Sequence, residues 1–60
     1  MPAAYVAMLV RDRERMGFTI GQVAWRLGLK PEEYRELEAG TRWPTSTEWD
    51  RMVALYGWPG

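Results

Sequence analysis

Residues 18–40 read FTIGQVAWRLGLKPEEYRELEAG, and this stretch decides the fold. Thr19 and Gln22 have the spacing of a capping box, which predicts the start of a helix at this point. Gly28 ends the apolar pattern that follows, and Pro31 suits the first turn of a new helix. The stretch therefore predicts two short helices joined by a turn of about three residues.

One further helix is predicted before this pair, over residues 3–16. Its apolar stripe is interrupted by the charged side chain of Arg13. The neighbouring charges within residues 11–15, RDRER, have spacings that allow local ion pairs, which is typical of a solvated face. The residues of the stripe are Val6, Leu9, Arg13 and Met16.

The last helix follows the loop TRWP at residues 41–44. A second capping box, Thr45 with Glu48, starts this helix, which runs to Tyr56, and residues 58–60 form a tail. The core positions predicted for the three later helices are Val23, Ala24, Leu27, Tyr34, Leu37, Trp49, Met52, Val53 and Tyr56. These patterns predict an all-α fold, a compact bundle of four short helices in a single domain of residues 1–60.

The composition excludes several classes of function. The chain has 60 residues, no cysteine and no histidine, so the commonest metal ligands and the commonest general base are missing. A chain of this size has too little mass for a catalytic cleft, and no catalytic residue, metal, cofactor or small-molecule substrate is predicted. The longest apolar run, residues 3–10, is too short to cross a membrane, and we expect a cytoplasmic protein. The net charge is zero, with basic residues concentrated in the first half and acidic residues in the second.

The chain resembles the Cro and lambda-repressor-like (XRE-type) helix-turn-helix domains over roughly residues 9–58. The resemblance is carried by VAxxLG at residues 23–28, followed at the right interval by LExGxRxP at residues 37–44. It implies a bundle of five helices in the usual family member, so a fifth short helix is possible here, and a helix-turn-helix at about residues 19–40. It also implies sequence-specific binding of double-stranded DNA in the major groove and transcription regulation, for example as a repressor. It also implies a structural ion pair between Arg13 and Glu38, which would explain why a charge interrupts each apolar stripe.

The resemblance also implies which positions face DNA. These positions are Thr19, Ile20, Lys30, Pro31, Glu32, Glu33, Arg35, Glu36, Arg42 and Trp43. Four glutamates in residues 31–40 depart from the family pattern, because carboxylates are repelled by phosphate. Glu32 and Glu33 suit the first turn of a helix, and Arg35 has the spacing to pair with Glu32. Glu36 has no such structural explanation, but a glutamate can accept a hydrogen bond from the cytosine amino group.

A second hypothesis uses the same fold as a protein-interaction module with weak or no DNA binding. In this hypothesis the acidic third helix and exposed apolar side chains, Ile20, Trp25 and Trp58, meet a protein partner or a second copy of the chain. The sequence leaves open whether Trp43 and Trp58 complete an interface or fold back over the core.

Overall fold

The computed structural model describes the backbone of residues 3–59 and the side chains of residues 4–59. Met1, Pro2 and Gly60, which the predicted domain includes, lie outside the described residues. The described part of the chain folds into four α-helices without a strand, as the sequence predicts. The helices are α1 (Ala3–Arg15), α2 (Ile20–Leu27), α3 (Pro31–Ala39) and α4 (Ser46–Tyr56).

The helix starts follow the predicted capping chemistry. The Thr19 hydroxyl accepts a hydrogen bond from the backbone N–H of Gln22 at 3.1 Å, and the Gln22 side chain accepts one from the backbone N–H of Thr19 at 2.9 Å. Thr45 and Glu48 make the same reciprocal pair at the start of α4, at 3.1 and 3.0 Å. Each box satisfies two backbone groups at a helix end, so both boundaries are determined by local sequence.

The core forms around α2, which packs against both α3 and α4, while α1 packs against α3. The three predicted inward residues of α2, Val23, Ala24 and Leu27, have no exposed surface. Among residues 4–59, the buried apolar residues are Tyr5, Leu9, Val23, Ala24, Leu27, Tyr34, Leu37, Met52, Tyr56 and Trp58. Trp49 and Val53 are only partly buried and pack against this set.

Two expectations for α1 are wrong. Met16 lies beyond the end of the helix and is exposed, so it does not extend the apolar stripe. Asp12, expected on a solvated face, is only 2% exposed. Its carboxylate accepts hydrogen bonds from Arg11 and Arg15, with shortest distances of 3.1 Å, but both arginines are themselves largely exposed. Of the predicted local pairs, Asp12 with Arg15 therefore forms, whereas Arg11 pairs with the adjacent Asp12 and, in the described residues, not with Glu14. The shared carboxylate is buried.

The Asp12 carboxylate is also in contact with the indole of Trp58. The Trp58 Nε1–H donates a hydrogen bond to Asp12 Oδ2 at 2.5 Å, across 46 residues of sequence. The same indole packs against Tyr56 and Trp49, with ring centroids 5.3 and 5.5 Å apart. Trp58 therefore folds back over the core and is not an exposed interface residue, which decides the question that the sequence left open for this residue.

Acid should weaken this contact. The hydrogen bonds from Arg11 and then from Trp58 hold the pKa of Asp12 well below its usual range, despite the opposing effect of burial. Because folding lowers this pKa, the stabilisation is complete above the unfolded value of about 4 and is lost as the pH falls below it. We expect Asp12→Asn to lower the free energy of unfolding by about 1.5 kcal/mol at about pH 7.

Urea titrations across the acid range measure this effect. The wild type should lose more stability than Asp12→Asn as the pH falls from about 5 towards 2. Glu36→Gln, which removes an exposed carboxylate, is the matched control and should follow the wild-type curve. Parallel curves for the wild type and Asp12→Asn would show that Asp12 does not couple folding to protonation.

Candidate nucleic-acid interface

The turn between α2 and α3 is stabilised by the conformation of Gly28 and by a contact from α4. Gly28 ends α2 in the left-handed conformation, with φ 72°, which glycine adopts without the steric penalty of a Cβ. Arg51 of α4 donates a hydrogen bond to the Leu27 carbonyl oxygen at 2.8 Å, and its guanidinium occupies the space that a Cβ at residue 28 would need. Lys30 is extended and leads directly into Pro31. This arrangement fixes α3 relative to α2.

The far end of α3 is tied to α1 by Arg13 and Glu38. Arg13 Nε donates to Glu38 Oε2 at 2.6 Å, and the second guanidinium nitrogen, Nη2, donates to Oε1 at 3.2 Å. The two side chains are only 16% and 15% exposed. The Tyr34 hydroxyl donates a hydrogen bond to the same carboxylate at 2.6 Å. Burial raises the pKa of Tyr34, and this hydrogen bond raises it further. The guanidinium also contacts the Phe18 carbonyl oxygen at 3.3 Å.

The outward face of α3 carries the residues implied to contact DNA. Pro31, Glu32, Arg35 and Glu36 are all exposed, as is Lys30 just before the helix. Within the described residues no ion pair joins Glu32 to Arg35, so the spacing between them is not used. The exposed face therefore combines two carboxylates with the cations of Lys30 and Arg35.

Glu33 differs from Glu32 and Glu36, the two exposed glutamates of α3. It is half-buried, and its Oε1 accepts a hydrogen bond from the backbone N–H of Lys30 at 2.8 Å. The carboxylate therefore caps the helix start, where negative charge is favourable, and does not extend freely into solvent.

Arg42 and Trp43, in the loop after α3, have different environments. The Arg42 guanidinium is partly buried and donates to Glu48 Oε2 at 2.8 Å. Trp43 is 66% exposed, and its ring lies 6.0 Å from that of Tyr5. The loop thus presents an indole, while its cation is neutralised by an internal partner.

The residues expected at or near α2 divide between the surface and the core. Thr19 is exposed, although its hydroxyl is engaged in the capping box. Ile20 is partly buried against the core, which corrects the expectation that it lies on the outer side of α2. Trp25 is 80% exposed. It lines an open groove of about 310 Å³ together with Phe18, Gly21, Gln22 and Arg26.

Several organising residues were not found by sequence patterns. The apolar stripe gave no signal for Asp12, because burial of that carboxylate depends on a residue far along the chain. Arg51 has no sequence signal for its role, because the carbonyl that it caps lies 24 residues away on another helix. The ion pair of Arg42 with Glu48 had no clear sequence signal, because Glu48 was already assigned to the second capping box.

The described residues contain neither an acidic cluster for a metal ion nor a membrane-spanning helix. In residues 4–59, no three or more aspartate or glutamate side chains cluster in a way that could hold a metal ion. Within the part of the chain described by the structure, no helix has the length and apolar character needed to span a bilayer.

An α2 with a buried inner face, a three-residue turn that begins at Gly28 and an α3 with an exposed outer face define the helix-turn-helix class of proteins. The family model described as a helix-turn-helix domain matches residues 5–60, and the chain belongs to that family. The match is consistent with the Cro and lambda-repressor-like type that the sequence resembles. A comparison with curated proteins found no match, and neither did a comparison with solved structures.

Membership of this family suggests a DNA-binding regulator in general. Domains of the family are typically non-enzymatic.

Proposed function

We propose that the chain is a sequence-specific, XRE-type transcription regulator that places α3 in the major groove of double-stranded DNA. The observation that supports this function best is that α3, whose outer face is exposed, is held in place at both ends. Arg51 holds the turn before α3, and the ion pair of Arg13 with Glu38 holds its other end. A helix fixed at both ends can present side chains to base edges without a further ordering cost.

The chemistry of the exposed face suggests how the bases are read. Arg35 can donate two hydrogen bonds to guanine, and Glu32 or Glu36 can accept one from the cytosine amino group. Pro31 and Thr19 lie at the starts of the two helices, where close approach to the backbone is expected. The proposed target is therefore a site with G·C pairs at the centre of the contact.

Phosphate contacts on this surface should be few. Lys30 and Arg35 have no ion pair within the described residues, whereas Arg42 is paired with Glu48. The proposal therefore assigns the main phosphate contact to Lys30, and gives Arg42 a smaller part than its position in the family pattern implies. A repressor role, a cytoplasmic location and a single domain over residues 1–60 belong to the same proposal.

Selection from a random DNA duplex pool tests this function. The wild type should retain a subset of duplexes at about 50 mM salt and lose affinity by about 200 mM. Lys30→Ala should weaken binding at the lower salt concentration. It should also make the plot of log affinity against log salt concentration shallower, by the amount expected for about one phosphate contact. Trp25→Ala, on the outer face of α2, is the control and should leave both values unchanged. Failure of the wild type to retain any duplex at the lower salt concentration would contradict the proposal.

Trp25 favours a second candidate function, a protein-interaction module. An indole that is 80% exposed beside an open groove is a feature of protein interfaces, where tryptophan is enriched among the residues that dominate affinity. In this case Trp25→Ala and Glu36→Lys would abolish capture of the partner, and Lys30→Ala would not. Lys30→Ala and Trp25→Ala therefore have opposite expected effects under the two functions.

A further inference from the structure

The loop between α3 and α4 is held in place by contacts with α1 and α4. The Tyr5 hydroxyl donates a hydrogen bond to the Arg42 carbonyl oxygen at 2.7 Å. The Arg42 guanidinium is paired with one carboxylate oxygen of Glu48. The other carboxylate oxygen accepts a hydrogen bond from the backbone N–H of Thr45. These contacts link α1, the loop and α4, so the backbone on either side of Trp43 is held in place.

Trp43 is supported on one side and open on the other. Its ring lies 6.0 Å from the Tyr5 ring at an angle of 32°, and Tyr5 itself is buried. The rest of the indole surface faces solvent. Because the loop is already ordered, an additional contact on the open side would cost little conformational entropy.

The loop follows directly on α3, the helix that the proposed function places in the groove. The Arg42 side chain turns back along this helix, with Nη1 3.5 Å from the Glu33 carbonyl oxygen in its first turn. Trp43 is therefore the exposed residue next to one that is anchored on α3.

The charges around this segment leave little attraction for phosphate. Glu48 neutralises Arg42, and on α3 the carboxylates of Glu32 and Glu36 oppose the cations of Lys30 and Arg35. Counterion release therefore supplies less affinity than in a basic DNA-binding surface. An apolar contact can add affinity for the nucleic acid backbone here without a further cation.

We propose that Trp43 is an uncharged anchor that packs against deoxyribose beside the groove entered by α3. The inference rests on the proposed function. Deoxyribose is the uncharged part of the DNA backbone, so an indole can bury against it without a cationic partner. The contact raises affinity equally at low and high salt, which distinguishes it from a phosphate contact.

Binding of the selected duplexes across a salt series tests the role of Trp43. Trp43→Ala should lower affinity about tenfold at every salt concentration, without changing the salt slope. Trp43→Lys replaces the apolar contact with a cation, and should steepen the slope by about 0.9. Trp25→Ala is the matched control, since it removes another exposed indole from a different surface, and its affinity should equal that of the wild type.

The results separate the inference from the function on which it rests. If the wild type retains no duplex, the proposed function fails. If the wild type binds and Trp43→Ala binds equally well, or has a shallower salt slope, the uncharged anchor is overturned while DNA binding stands.

A variant that retains the aromatic ring tests the inference if Trp43→Ala melts early. Trp43→Phe keeps a ring beside Tyr5, and should lose about threefold in affinity with the wild-type salt slope. A shallower slope for Trp43→Phe would overturn the inference in the same way.

Discussion

Replacing Arg13 with alanine should lower the free energy of unfolding by about 3 kcal/mol, and the melting temperature by about 12–24 °C. The change leaves the Glu38 carboxylate with one hydrogen-bond donor, Tyr34, in a site where the carboxylate is only 15% exposed. A buried charge without its counter-ion accounts for most of the expected cost. Thermal melting followed by circular dichroism, together with urea unfolding, measures the two quantities.

Two variants distinguish the ion pair from simple loss of packing. Arg13→Lys keeps the charge but loses the two-nitrogen contact with Glu38, so an intermediate loss of stability is expected. The double change Arg13→Ala with Glu38→Ala should be less destabilising than the sum of the single changes, because neither partner is then left unpaired. An unchanged melting curve for Arg13→Ala would remove the pair from the account of stability.

Replacing Trp58 with alanine should lower the free energy of unfolding by about 3 kcal/mol. The indole is 7% exposed, covers Trp49 and Tyr56, and supplies the buried hydrogen bond to Asp12. Its removal uncovers the aromatic contacts and exposes one side of the Asp12 carboxylate. The urea midpoint measures the change.

Matched tryptophan and phenylalanine variants sharpen this test. Trp58→Phe keeps much of the apolar contact but has no N–H for Asp12, so about half of the loss is expected. Trp25→Ala removes an exposed indole and should leave the urea midpoint nearly unchanged. Equal midpoints for Trp58→Ala and Trp25→Ala would contradict the assignment of Trp58 to the core.

Most of the fold could be predicted because its signals are local. The capping boxes at Thr19 and Thr45 act within four residues, and Gly28 ends α2 through its own backbone conformation. The inward residues of α2 follow from helical periodicity alone. The pairing of Arg13 with Glu38 needed the family resemblance, because 25 residues separate the two side chains.

The candidate site was less accessible to prediction. Its residues could be placed on α3 and the following loop, but their availability depends on partners from other elements. Arg42 is bound to Glu48, whereas Lys30 and Arg35 have no ion pair within the described residues. The roles of the exposed residues in DNA binding remain proposals that the salt series tests.

The sequence by itself determined the helix boundaries and the glycine turn, since both depend on contacts within a few residues. Only the tertiary structure decided which charges and tryptophans are internal. Asp12 is buried because Trp58 folds over it from 46 residues away, and Trp43 stays exposed because Tyr5 supports just one side of its ring. Burial is set by everything that packs against a side chain, and helical periodicity accounts only for the neighbours on the same helix.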